Sequence, residues 1–106
     1  MDPSEIEERL KAMVNGPHQF SAYNSIFLEK ARDGRAEGRL FVTENSLNPH
    51  GMVHGGALVT LADTVAGCAA HGLGGQYVTL SSNLNFLAPA QKGEVRCAAE
   101  VRKAGR

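Results

Sequence analysis

From Gly55 to Gly72 the chain runs for 18 residues with a single charge, Asp63, and with small side chains at most of the remaining positions. The core of this run, Ala57 to Ala70, is apolar nearly all round at helical spacing, which marks a buried helix with no wet face. Such a helix must be wrapped by the rest of the molecule, and 106 residues with 42% hydrophobic content supply one core to do it. With Asp63 and three further glycines inside it, the run does not read as a membrane span. His54-Gly55-Gly56 precedes the helix and His71-Gly72-Leu73-Gly74-Gly75 ends it.

The flanking sequence supplies the wrapping. Residues 1–16 form an N-terminal helix, with Ser4 and Glu7 spaced as a capping box and Asn15-Gly16-Pro17 as the stop. Asn24–Arg32 and Arg35–Thr43 read as strands joined by the two-residue turn Asp33-Gly34, of the type I′ kind. Gly38 inside the second strand marks a bulge or a close backbone approach. A loop, Glu44–Gly51, leads to the central helix. Beyond it, Tyr77–Phe86 and Glu94–Val101 both alternate apolar and polar residues with period two, as half-buried strands do. The order helix, strand, strand, helix, strand, strand gives an α+β class, with antiparallel strands packed on the central helix. Four strands leave an open sheet edge.

Charge and cysteine content narrow the function classes. Eleven basic and eleven acidic residues cancel, so the chain has neither the footprint of a nucleic-acid binder nor a polybasic membrane anchor. The start, Met1-Asp2-Pro3-Ser4-Glu5, is acidic where a signal peptide would be basic. Cys68 and Cys97 form no C-x-x-C motif or disulfide framework, so a cytoplasmic protein with reduced thiols is expected.

One segment carries chemistry: Asn48 to Gly56, followed by the helix with Asp63. A carboxylate in an apolar helix is costly unless solvated or hydrogen-bonded, so Asp63 is either a reactive group or an acid at a wet notch. Backbone N–H groups at a helix start lack intrahelical partners, and Gly55 and Gly56 would let a ligand oxygen approach them. That suits an oxyanion, and it equally suits a tight turn feeding a buried helix. His54 could orient a carbonyl or a water, or satisfy loop backbone. His50, His54 and His71 lack the spacing and companions of a metal site, so no metal is implied. His18 reads as surface, and Cys68 as a buried structural thiol.

Distance sharpens the choice. Asp63 lies eight residues beyond Gly55, about 12 Å along a helix at 1.5 Å per residue. A reacting carbonyl must sit about 3 Å from both its donors and its attacking group. One chain cannot supply both, so an enzyme built from these parts predicts a two-fold dimer, with Gly55 of one copy facing Asp63 of the other.

The residues Asn48, Gly51, His54, Gly55, Gly56, Ala57, Leu58, Ala62 and Asp63, with Asn83 to Ala90 further on, resemble the motif of the PaaI-like hotdog-fold acyl-CoA thioesterases. The resemblance runs from about Asn24 to the C-terminus. It implies a hotdog fold, an antiparallel sheet wrapped around one long central helix, and a single thioesterase domain over residues 1–106. Family members carry two more strands, so it also implies that C-terminal strands are missing and the domain is truncated. The implied activity is hydrolysis of an aromatic (phenylacetyl-type) or medium-chain acyl-CoA to free acid and CoA, without cofactor. Active sites are implied at a homodimer interface, with dimers pairing further.

By position, Asp63 is then the nucleophile or general base, Gly55 the oxyanion donor, His54 a thioester-fixing group, and Asn48 a ligand of the water or of the carboxylate's surroundings. Gly56, Thr79 and Lys92 are implied substrate contacts, Thr79 as an assisting hydroxyl or an ordinary strand residue. Lys92, Arg96, Arg102 and Lys103 are the cations available for CoA phosphates. A hotdog hydratase fits the spacing less well. A non-catalytic acyl-CoA sensor remains the alternative from another functional class.

Overall fold

A computed structural model describes residues 2–79, 81–84 and 88–103. The first helix, α1 (Pro3–Val14), starts two residues earlier than a Ser4 cap would place it. Pro3 supplies a helical φ at the first position, and the Asp2 carboxylate accepts from Glu5 N–H at 3.0 Å. Ser4 donates its hydroxyl to that carboxylate at 2.6 Å, so the Ser4–Glu7 capping box does not form. Glu7 is used elsewhere. It accepts from the backbone N–H of Ala31 and from the Arg32 guanidinium, both at 2.9 Å. Asn15, just past the helix, exchanges two bonds with the backbone of Leu28, at 2.8 and 2.9 Å. Side chains of α1 and its cap thus satisfy the edge of the first strand that faces away from the sheet.

A single turn, α2 (Phe20–Tyr23), leads into β1 (Ile26–Arg32), which pairs antiparallel with β2 (Arg35–Phe41). Asp33 and Gly34 take φ of 55° and 79°, the two left-handed residues that a type I′ turn needs. The expected irregularity at Gly38 has two parts. The register shifts between Leu28 and Lys30, so Glu29 is the extra residue of a bulge on β1 opposite Gly38 and Glu37. At Gly38 itself, a β-carbon would lie 2.7 Å from Val65 Cγ2 and 2.8 Å from the Phe27 carbonyl oxygen.

The central helix, α3 (Gly55–His71), crosses this sheet. Its residues Leu61, Val65, Cys68 and Ala69 are buried against Ile26, Leu28, Ala31, Ala36 and Leu40. β3 (Glu94–Glu100) pairs antiparallel with β2, giving the order β1-β2-β3. Val95, Cys97 and Ala99 face α3, and Glu94, Arg96, Ala98 and Glu100 face outward, as the alternation requires. None of the helices formed by the described residues is long and apolar enough to cross a membrane.

Two expectations need correction. The described part of the strand expected over Tyr77–Phe86 is not in the sheet: residues 77–79 and 81–84 are exposed and irregular, and 80 and 85–87 lie outside the described residues. Alternation reports which side chains share a face, but a strand also needs a neighbouring backbone in register, and the described residues of this segment pair with no strand of the sheet. Nor is α3 buried all round. Three strands cover one side of it, leaving Val59 (38% exposed), Asp63 and Ala66 open on the other.

Candidate active site

The loop before α3 is built by short backbone bonds. Leu47 and Val53 form an isolated bridge, Asn48 N–H donates to the Met52 carbonyl at 2.7 Å, and His54 N–H donates to the Ser46 carbonyl at 2.7 Å. The Asn48 side-chain oxygen accepts from His50 N–H at 2.9 Å and Met52 N–H at 3.1 Å. Asn48 therefore acts here as an Asx-type turn former, and its oxygen is committed to the loop.

His54 is the N-cap of α3. Its Nδ1 accepts from Gly56 N–H at 2.8 Å, so the neutral imidazole carries its proton on Nε2, at an exposed position. The two glycine amides are thereby separated in role. Gly56 N–H is engaged, whereas Gly55 N–H has no acceptor among the described residues. Gly55 borders a hollow of about 350 Å³, lined also by Asn48, Met52, Leu58 and Pro89. A free amide at a helix start, aided by the helix dipole, can stabilise a developing oxyanion. Lys92 is exposed and follows Ala90, whose carbonyl accepts from Val53 N–H, so it belongs to this end of the helix.

Asp63 stands on the opposite, uncovered side of α3, in a groove of about 430 Å³. Val59, Ala62, Ala66 and Gly67 form the helix wall of the groove, and Tyr77 and Thr79 belong to the other wall. Their spacing, i, i+3, i+4, i+7 and i+8 from Val59 through Asp63, puts one reactive group in the middle of an apolar stripe of small residues. Thr79 Oγ1 donates to Asp63 Oδ1 at 2.6 Å. Asp63 Oδ2 accepts no bond from a described residue, and a carboxylate oxygen so exposed can in principle attack or take a proton. The bond fixes one carboxylate oxygen and thereby the direction of the other.

The Gly55 hollow and the Asp63 groove share no lining residue. Asp63 and Thr79 are brought together; Gly55, His54 and Asn48 are brought together at the other place. Among the described residues, no three His, Cys, Asp or Glu side chains gather as metal ligands. Cys68 is buried, and desolvation pushes its thiol up to about 11, so it is no nucleophile at neutral pH. Sequence reasoning passed over Tyr77, which lines the Asp63 groove, and His71, which binds its backbone. A histidine in the last turn of a helix, six residues before an aromatic in a glycine-rich turn, was the available signal.

A carboxylate lining a groove, with an amide at the start of the same helix that has no acceptor among the described residues, is an arrangement that can serve acyl transfer to water. Comparison with known proteins gives the family. Residues 50–106 match the family model described as the thioesterase superfamily. Human acyl-coenzyme A thioesterase 13 is 29% identical, over 95% of this chain and 74% of its own. The E. coli PaaI protein, from the phenylacetic acid degradation operon, has a similar structure at TM-score 0.84 and 27% identity, covering 99% of this chain and 77% of that one. A thioesterase from Streptococcus pneumoniae, solved with coenzyme A, is similar at TM-score 0.74 and 34% identity, covering 82% and 71%. The chain belongs to the thioesterase superfamily, a family of thioester hydrolases, as a PaaI-like member with the hotdog fold.

Proposed function

We propose that the chain hydrolyses acyl-CoA thioesters in the cytoplasm, at composite sites formed where two copies meet, with dimers pairing further. The acyl groups that suit the Asp63 groove are aromatic, of the phenylacetyl type, or medium-chain. The observation that carries the reading is the Asp63 carboxylate, bonded to Thr79 on one oxygen and free on the other, in a groove separate from the free Gly55 amide. In a two-fold pair, Gly55 of one copy would donate to the thioester oxygen while Asp63 of the other attacks the carbonyl carbon. Attack by Asp63 expels the CoA thiolate and leaves a mixed anhydride, which water then hydrolyses. Alternatively, Asp63 takes the proton of a water that attacks directly. His54 Nε2–H would donate near the same oxygen, and Lys92 would meet CoA phosphates.

The test is release of CoA thiol from a panel of aromatic and straight-chain acyl-CoAs, by this chain and by Asp63→Asn. The substitution keeps the size and removes the charge. The expected loss in kcat is on the order of 10²-fold or more, since attack or proton transfer is abolished. Equal turnover by both proteins overturns the reading. Folded protein that binds acyl-CoA without turnover would be a sensor.

A further inference from the structure

Among the described residues of the segment from Tyr77 to Leu84, two polar contacts reach α3. One is the Thr79–Asp63 bond at 2.6 Å. The other is made by His71, the last residue of α3: its Nε2 accepts from Tyr77 N–H at 3.0 Å. The His71 and Tyr77 rings also meet edge to face, with centroids 5.5 Å apart and planes at 64°. The Tyr77 hydroxyl turns back to donate to the Gly74 carbonyl at 3.2 Å. Gly74 and Gly75, at φ of 88° and 104°, make the tight return that brings Tyr77 under the imidazole. Described residues of the segment make no ladder, so these contacts do what sheet bonds would otherwise do.

We propose that His71 is a positioning residue for the thioesterase site, latching Tyr77 so that Thr79 is held on Asp63. The latch works by reach. Thr79 is two residues past Tyr77, so with Tyr77 fixed its backbone stays within about 7 Å of the latch. Its hydroxyl then meets Asp63 Oδ1 without a long search, and Oδ2 keeps its direction into the groove. Without the latch, the Thr79–Asp63 bond is the one polar contact left between the segment's described residues and α3 of the same chain, and such exposed contacts open readily. His71 itself does not touch the reacting atoms. Its neutral form, accepting at Nε2 and protonated at Nδ1, is the form that holds Tyr77 N–H. This role rests on the reading of Asp63 and Thr79 given above.

The experiment compares His71→Leu, which removes the acceptor and keeps apolar bulk, with His71→Gln, whose carboxamide oxygen can accept in its place. Hydrogen exchange of the 77–84 peptide is read first, because it does not depend on turnover. Leu is expected to speed exchange there and Gln to restore protection. In the kinetic arm, His71→Leu lowers kcat about five- to tenfold, the worth of one net hydrogen bond, and Gln recovers most of it. Thr79→Val lowers kcat in the wild-type background and adds little in His71→Leu, because the bond it removes is already loosened. Unchanged exchange in His71→Leu, or strictly additive effects with Thr79→Val, overturns the latch. Absent turnover with wild-type exchange protection lost in His71→Leu overturns the hydrolase reading alone.

Discussion

Gly38 is where the sheet and α3 come closest, and Gly38→Ala measures that closeness. Gly38 does not lie in the left-handed region, so the substitution acts through space and not through backbone strain. The new β-carbon would stand 2.7 Å from Val65 Cγ2 and 2.8 Å from the Phe27 carbonyl oxygen. Non-bonded carbon atoms rest about 3.5–4.0 Å apart, so the helix or the strand must retreat by about 1 Å. Val65 is fully buried among Leu61, Cys68 and Ala69, and the Phe27 oxygen is backbone of the paired strand, so neither yields cheaply. Over-packing of this kind costs about 1–3 kcal/mol, which lowers the melting temperature by on the order of 10 °C in a domain this size. Thermal unfolding of Gly38→Ala checks the loss, and the double variant with Val65→Ala checks its cause. Val65→Ala alone destabilises by leaving a cavity. Together the two should cost less than their sum by about 0.5 kcal/mol or more, because the small residue relieves the clash. The Phe27 contact remains, so the relief is partial. A melting temperature within about 2 °C of wild type for Gly38→Ala, or simple additivity with Val65→Ala, refutes the argument that the glycine lets α3 seat on the sheet.

Two further outcomes follow from other residues. The bond from Ala31 N–H holds the Glu7 carboxyl below its ordinary value of about 4.5, helped by Arg32 and opposed by burial. The Glu7 contribution to stability is therefore complete above about pH 4.5 and fades as pH falls through its lowered folded value. In acid titrations followed by circular dichroism, Glu7→Gln should be less stable at pH 7 by about 1 kcal/mol and should show a flatter decline below pH 5. A curve parallel to wild type rejects the role of that bond. For Cys68, a thiol pushed up to about 11 is roughly one part in a thousand thiolate at pH 8. Iodoacetamide labelling followed by mass spectrometry should be slower at Cys68 than in the unfolded chain by about two orders of magnitude. Cys68→Ala should keep its thioesterase turnover.

What the sequence disclosed was what short-range chemistry decides. Asp33-Gly34 specifies its turn because only residues tolerant of positive φ fit both positions, and the structure puts both there. Gly38 announced itself as the one residue without a side chain inside a strand, and it faces Val65. The motif from Asn48 to Asp63 was legible as a helix start and a carboxylate, and the roles of its members were not. The Asn48 side-chain oxygen and the Gly56 amide are engaged inside the loop and cap, a matter of local backbone geometry that spacing cannot express. The cap of α1 was misplaced because Asp2 and Ser4 both have capping chemistry, and Pro3 decides between them by fixing where the helix begins. The segment after α3 was misread for a longer-range reason. Its alternation is real, but pairing needs a neighbouring backbone in register, which alternation within one segment does not specify, and the β2 edge is paired with β3.

The two misfits between sequence and single-chain structure point the same way. A helix as apolar as α3 is expected to be covered on every side, yet Val59, Ala66 and Asp63 stand open. An alternating segment is expected to find a neighbouring backbone, yet its described residues find none in the sheet and rest on α3 through His71 and Asp63. Both lie on the Asp63 face, opposite the side that Leu61, Val65 and Cys68 bury. The distance along α3 from Gly55 to Asp63, about 12 Å, adds a third demand, for an oxyanion donor that this chain cannot bring to its own carboxylate. Under the proposed function, a second copy in a two-fold arrangement would meet all three demands with one surface. It would cover the small-residue stripe, offer the alternating segment an edge, and set its Gly55 amide opposite Asp63. Under the proposed function, folding and catalysis therefore call for the same partner. Dilution below the dimer's dissociation constant should then cost turnover per chain, as sharply as removal of the carboxylate does.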